Sequence, residues 1–104
     1  MRLYEVMIIV RPDLDSQVYE QIREKVSSVL AEQKGELKEW SVWKEKHRFS
    51  YPLRCRGADK KEYNEGTYVL AYFLAEPVAR DALKYRLDLD DNILRHLIIV
   101  KEHD

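Results

Sequence analysis

Residues 3–10, Leu-Tyr-Glu-Val-Met-Ile-Ile-Val, are apolar at both parities of a strand. Tyr4, Val6, Ile8 and Val10 share one face at the two-residue period, and Leu3, Met7 and Ile9 share the other with a single charge, Glu5. The run holds no Gly or Pro and stops at Arg11-Pro12. A strand apolar on both sides belongs in the middle of a sheet with helices over at least one face. A carboxylate is costly to bury alone, so Glu5 is expected on the open side of that sheet, paired with Arg95 of the last strand.

From Asp13 the period changes. Asp13 to Ser16 offers several N-cap oxygens, and Val18, Ile22, Val26, Val29 and Leu30 fall on one helical face. This predicts a helix over 15–34, ended by Gly35 in the left-handed conformation. Residues 36–53 are extended again, with Trp40 and Val42 at even positions and Trp43, Phe49, Tyr51 and Leu53 at odd ones. A bulge or twist near Trp43-Lys44 is expected to keep them on one face, leaving Lys44, Lys46, Arg48 and Ser50 on the other. Pro52 cannot donate to a ladder, which marks this as an edge strand.

Residues 55–66 are polar, hold two of the three glycines and predict a hairpin loop longer than usual. A strand follows over 67–75, with Tyr68, Leu70, Tyr72 and Leu74 on one face and Val69, Ala71 and Phe73 on the other. Pro77 suits a first helical turn, and Val78, Ala82, Leu83 and Leu87 predict a helix over 77–87. A turn over 88–92 leads to a last strand over 93–100. That strand is apolar at both parities through Leu97-Ile98-Ile99-Val100, so part of it must be either covered or exposed. The order strand, helix, strand, strand, helix, strand predicts an α+β fold, the ferredoxin-like βαββαβ sandwich. In it two helices cover one face of a four-stranded antiparallel sheet, strands one and three are central, and strands two and four are edges. A length of 104 residues fits a single domain, 1–104.

Composition narrows the class. With 45% hydrophobic and 36% charged residues and only three Gly and three Pro, neither disorder nor a disulfide scaffold is favoured. The one cysteine, Cys55, has no internal partner, and no signal-peptide pattern opens the chain, which suggests a reducing, intracellular setting. No apolar run approaches the roughly 18 residues of a membrane span, so no membrane partner is expected. The net charge of −1 conceals a division: residues 13–36 carry six acidic and three basic side chains, residues 38–61 eight basic and three acidic. Such asymmetry suits a polyanionic partner on one side, although a solvated surface gives the same pattern.

No catalytic grouping emerges. Asp88-x-Asp90-x-Asn92 starts like a calcium loop but has Ile93 where Gly is required and Ile99 where the bidentate Glu belongs. His47, His96 and His103 lack metal-ligand spacing, and Cys55, though beside Arg54 and Arg56, has no base partner. These residues imply no cofactor, no metal and no small-molecule substrate. What remains is the stretch from Lys44 to Arg54, where Lys44, Lys46, Arg48 and Arg54 alternate with aromatic or apolar residues on an edge strand. The first three would stand about 6.8 Å apart on one face, a ridge suited to a phosphate backbone. Sheet surfaces with aromatic side chains recognise RNA, whereas lysines on an edge strand also serve simply to block aggregation.

Several stretches carry a resemblance over nearly the whole chain, residues 2–101. They are the opening Arg2-Leu3-Tyr4-Glu5-Val6, the Pro12-x-Leu14-Asp15 at the helix start, Lys46-His47-Arg48-Phe49-Ser50-Tyr51-Pro52-Leu53, and Asn92-Ile93-Leu94-Arg95-His96. In these the chain resembles the small-subunit ribosomal protein six family of bacteria and organelles. The resemblance implies a non-catalytic ferredoxin-like protein that binds the central domain of small-subunit ribosomal RNA together with ribosomal protein eighteen. It places the chain on the cytoplasmic ribosome, or in an organellar matrix if the source is an organelle. Carried over residue by residue, it points to Arg2, His47, Arg48, Tyr51 and Arg95 as contacts to RNA or partner. A different use of the same fold is an oligomeric regulatory or ligand-binding domain that self-associates through its open sheet face.

Overall fold

A computed structural model of the chain describes residues 1–54 and 61–102. The elements are β1 (Arg2–Val10), α1 (Ser16–Glu32), β2 (Glu36–Arg54), β3 (Glu62–Ala75), α2 (Pro77–Asp88) and β4 (Ile93–Glu102). Their strands form one antiparallel sheet in the order β2-β3-β1-β4, so β1 and β3 are central and β2 and β4 are edges. This is the ferredoxin-like topology that the order of elements predicts.

Strand parity decides what is buried. Tyr4, Val6, Ile8 and Val10 of β1 and Val69, Ala71, Phe73 and Ala75 of β3 form one cluster with Ile22, Val26, Val29 and Leu30 of α1 and Ala79, Leu83 and Leu87 of α2. Tyr4 and Phe73 stack with ring centroids 5.2 Å apart at its centre. Each large apolar side chain buried this way is worth about 1.5–3 kcal/mol relative to exposure, so the helix-covered face holds most of the stabilisation. The opposite face carries Leu3, Glu5 and Met7 of β1, half-buried, beside Leu70, Tyr72 and Leu74 of β3, and no helix among the described residues covers it.

The caps explain where the helices begin and end. Asp15 is the N-cap of α1, its Oδ1 accepting the Val18 N–H at 3.0 Å. At the C-terminal end Lys34, not Gly35, takes the left-handed conformation, with φ 63°. Gly35 serves a different need. A Cβ there would stand 3.0 Å from the Leu74 carbonyl oxygen and 3.1 Å from the Ala75 Cβ, so the chain can pass this close to β3 only without a side chain. In α2 the buried positions are Ala79, Leu83 and Leu87; Val78, expected inward, is 60% exposed because it lies one residue off that stripe. Lys25 Nζ donates to Asp90 Oδ2 at 2.8 Å and Asn92 N–H to Asp90 Oδ1 at 2.9 Å, which fastens α1 to the turn before β4. No helix among the described residues is long and apolar enough to cross a membrane.

Two further expectations are corrected. The hairpin loop assigned to residues 55–66 is partly strand: β3 starts at Glu62, and Tyr63 is buried against Ile9 and Leu94. Lone Tyr63 among polar neighbours gives no period, so its anchoring role is invisible in the sequence. The remaining loop positions, 55–60 with Cys55, lie outside the described residues. Glu5 and Arg95 do not pair. The β1/β4 register sets Glu5 opposite Ile99 and Arg95 opposite Ile9, four residues apart along the strand or about 13 Å. Glu5 instead accepts a hydrogen bond from the Tyr72 hydroxyl on the other neighbouring strand.

Candidate nucleic-acid interface

Among the described residues β2 has a strand partner only on its β3 side, so it can gain residues without breaking a second ladder. Register shifts fall at Leu37/Glu39, Val42/Lys44, Lys44/His47 and Arg48/Leu53. The second of these is the break expected near Trp43-Lys44. Its consequence is different from the one expected, because it divides the aromatic residues between faces instead of gathering them. Trp40 packs on the main core, whereas Trp43 and Phe49 meet Tyr68 on the open face.

The same shifts dissolve the regular cationic ridge. Lys44 stands opposite Tyr68 and His47 opposite Gly66, both on the open face, while Arg48 stands opposite Glu65 one position on. Between them Lys46 adopts φ 46°, a left-handed value uncommon for a residue with a side chain, and its N–H donates to the buried Thr67 Oγ1 at 3.2 Å. Lys44, Lys46 and Arg48 are all exposed, but the shifts keep them from projecting evenly from one face.

The last shift builds a concavity. From Arg48 to Leu53, β2 advances five residues while β3 advances two, so Phe49, Ser50, Tyr51 and Pro52 leave the ladder. Phe49 and Leu53 turn onto the open face and join Ile9, Tyr63, Leu94 and Tyr68 in a small second apolar cluster. Gly66 makes room for this: a Cβ there would lie 2.7 Å from Phe49 Cζ and 2.9 Å from the Val10 carbonyl oxygen. Between the bulge and β4 opens a cleft of about 410 Å³ whose walls include His47, Arg48, Phe49, Tyr51, Tyr68 and Arg95. Tyr51 stands at it 72% exposed. The Arg95 guanidinium is held by Nη1 donating to the Leu94 carbonyl at 2.6 Å and to the Arg54 carbonyl at 3.4 Å.

Aromatic rings and cations are interleaved here. Tyr68 has the edge of His47 at 5.3 Å, Trp43 at 6.0 Å and Phe49 at 6.2 Å between ring centroids. Lys44 Nζ lies 4.9 Å from the Trp43 ring centroid. Arg54 is partly committed, its Nη2 lying 4.0 Å from Glu62 Oε2. Arg2 is exposed at the opposite end of β1, seven residues or about 23 Å from Ile9, so it does not belong to this cluster. The residues that sequence reasoning missed are Tyr68, Phe49 and Trp43. The open-face parity of Tyr68 was readable, but its ring neighbours depend on bulges that no local pattern encodes.

Towards the middle of the open face the sign of charge changes. Glu5 and Glu39 flank Tyr72 from β1 and β2. The hydrogen bond to Glu5, burial, and the two carboxylate charges raise the Tyr72 pKa above the ordinary tyrosine value. Beside them β4 leaves Leu97 56% and Ile99 40% exposed next to the half-buried Leu3, Met7 and Leu70, an apolar strip that no described residue covers. Among the described residues no three His, Cys, Asp or Glu side chains converge to hold a metal. What the cationic end can do chemically is attract phosphate and offer flat faces to stack on.

Comparison with known proteins agrees in extent with this geometry. A family model described as ribosomal protein S6 matches residues 3–100. The chain is 37% identical over 99 residues to small ribosomal subunit protein bS6 of Desulforudis audaxviator, covering 95% of this chain and 97% of that one. It is 32% identical over 104 residues to the bS6 of Moorella thermoacetica, covering 100% and 98%. The crystal structure of 30S ribosomal protein S6 from Thermotoga maritima superposes with a TM-score of 0.76 at 24% identity, over 96% of this chain and 87% of that one.

Proposed function

The chain belongs to the ribosomal protein S6 family, structural and non-enzymatic components of the small ribosomal subunit, and we propose that it works there by binding ribosomal RNA beside a protein partner. The RNA is the central domain of the small-subunit RNA, the partner is ribosomal protein eighteen, and the setting is the cytoplasmic ribosome. The observation that carries this function is the cluster of His47, Arg48 and Arg95 around the rings of Tyr51 and Tyr68 at one end of the open sheet face, with Lys44 opposite Tyr68. Cations supply affinity for any phosphate backbone, and the rings supply contact to exposed bases. The apolar strip of Leu97 and Ile99 beside it suits a protein partner, because a phosphate backbone gains nothing from apolar area.

The test is the salt dependence of binding to a central-domain RNA fragment with ribosomal protein eighteen present. Each phosphate contact contributes roughly 0.7 to 0.9 to the fall of log affinity with log salt, so neutralising Lys44 and Arg48 together flattens the slope by nearly two units. An unchanged slope would move the RNA contact away from β2, to Arg2 or to the partner alone. Self-association through the same apolar strip is the competing use of this face. The hydrodynamic mass measured without RNA or partner separates the two: a monomer is expected.

A further inference from the structure

We infer that the cleft between the β2 bulge and Arg95 receives one unstacked nucleobase of the bound RNA. The inference rests on the RNA-binding function proposed above and names the RNA feature that this end of the sheet takes: a nucleotide in single-stranded or bulged RNA, not a stretch of regular duplex. Three observations converge on it.

The first is shape. At about 410 Å³ the cleft lies within the roughly 300–1,000 Å³ typical of small-ligand sites, and it is concave where a duplex backbone would need an outward ridge. The bulge that creates it, between Arg48 and Leu53, directly follows the ones that remove the even spacing of Lys44, Lys46 and Arg48. The second is the lining. Tyr68, Phe49 and Tyr51 present aromatic surface, and every base has a face that stacks on such a ring. The third is charge. Aromatic enclosures also take ammonium groups, but here Arg48, Arg95 and the nearby Lys44 oppose a cationic guest. An aromatic ring that carries an anion satisfies both the rings and the arginines, and a nucleotide is that guest.

The cleft is fixed before any ligand arrives. Phe49 sits on Gly66, and Arg95 is tied by its own guanidinium to the Leu94 and Arg54 carbonyls. A preformed site avoids the ordering cost that a flexible one meets on binding.

The test uses the full chain labelled with carbon-13 in its aromatic rings. AMP, CMP, GMP and UMP are titrated in turn, with ribose 5-phosphate as the probe that has the phosphate and sugar but no base. Shifts at the Phe49, Tyr51 and Tyr68 resonances with the nucleotides, and none with ribose 5-phosphate, are the expected result. Equal shifts with both probes, or no shift with either, would overturn the base site and leave only phosphate contacts. In RNA binding, Tyr51→Ala and Tyr68→Leu should each weaken affinity by about 5- to 140-fold at every salt concentration. That is one stacked base at about 1–3 kcal/mol, with about 1.4 kcal/mol per tenfold. Their salt slopes should stay at the parent value. Tyr51 is exposed enough for Tyr51→Ala to fold, and the nucleotide titration needs no variant. If ribosomal protein eighteen alone perturbs these three rings and abolishes the nucleotide shifts, the cleft is a protein contact and the inference fails. A normal salt slope that Arg48→Gln flattens, with nucleotides and ribose 5-phosphate acting alike, sinks the base site while the RNA-binding function stands. Absence of any RNA binding by the parent sinks that function independently.

Discussion

Gly66→Ala tests how the second apolar cluster is built. Gly66 is not in a left-handed conformation, so alanine meets no backbone strain there and the whole effect is steric. The added methyl would fall 2.7 Å from Phe49 Cζ, 2.9 Å from the Val10 carbonyl oxygen and 3.0 Å from Ile9 Cγ2. The Phe49 ring can swing away, but Val10 lies in a central strand paired on both sides and cannot. Inserting a methyl into a filled space costs about 1–3 kcal/mol, and this site belongs in the upper half because one obstacle is backbone. Loss of unfolded-chain entropy returns about 0.4–1 kcal/mol when Gly becomes Ala. A net loss of about 1–2.6 kcal/mol is therefore expected in urea unfolding followed by far-UV circular dichroism, with an unchanged m-value. Phe49→Leu shortens the ring that collides, so the double variant should lose less than the two single losses combined, by at least about 0.5 kcal/mol. The relief is partial, since the Val10 contact remains. A Gly66→Ala protein as stable as its parent, or strictly additive losses, would show that Phe49 does not rest on Gly66 and that the cleft wall is not held as described.

Other outcomes follow from single contacts. In a double-mutant cycle of Lys25→Met and Asp90→Asn, the coupling should be about 1–3 kcal/mol, between an exposed and a fully buried pair, because the Asp90 side chain is 6% exposed and that of Lys25 37%. Absorbance titration should find the Tyr72 phenol ionising above the ordinary tyrosine value and returning towards it in Glu5→Gln. Because the folded state holds that proton more tightly than the unfolded state, its stabilising contribution is fully present below the ordinary tyrosine pKa. It fades as pH rises through the raised folded value, and Glu5→Gln should remove this dependence; a parent whose stability is level across that window would contradict the assignment. Leu97→Asp should leave thermal stability within about 0.5 kcal/mol, as for most exposed positions. Calorimetry should nevertheless show weakened association with ribosomal protein eighteen, and unchanged affinity would remove the apolar strip from the interface.

Most of the fold could be read from periodicity because each element has one dominant burial requirement. The alternation in β1, with Glu5 expected on the open side, sets Tyr4, Val6 and Ile8 towards the core, and in Thr67 to Ala75 of β3 it separates Val69, Ala71 and Phe73 from the other face; the structure buries both sets together. The α1 stripe is equally plain. Where the pattern misled, two choices were nearly equal in local terms. Val78 and Ala79 are adjacent, and only the docking of α2 decides that the smaller one faces inward. Glu5 and Arg95 are opposite charges on neighbouring strands, but a pairing needs register, and the shift at Ile9/Val10 that helps set the β1/β4 register is a tertiary fact.

The candidate site was legible in composition and hidden in geometry, for a reason that lies in β2 itself. An edge strand answers to one ladder only, so inserted residues cost it little, whereas in a central strand each would break pairing on two sides. Residues 36–54 therefore collect four irregularities, and after each the assignment of side chains to faces has to be reset. Alternation counted from Lys44 to Arg48 cannot survive that, and the even ridge it suggests is absent. The same freedom lets Phe49 to Pro52 leave the ladder, and Phe49 cross the open face to a glycine one strand away. The basic and aromatic residues that the sequence marks out along a line are thus brought around a concavity. Tyr68, which the linear pattern assigns only to a strand face, becomes the ring around which they gather.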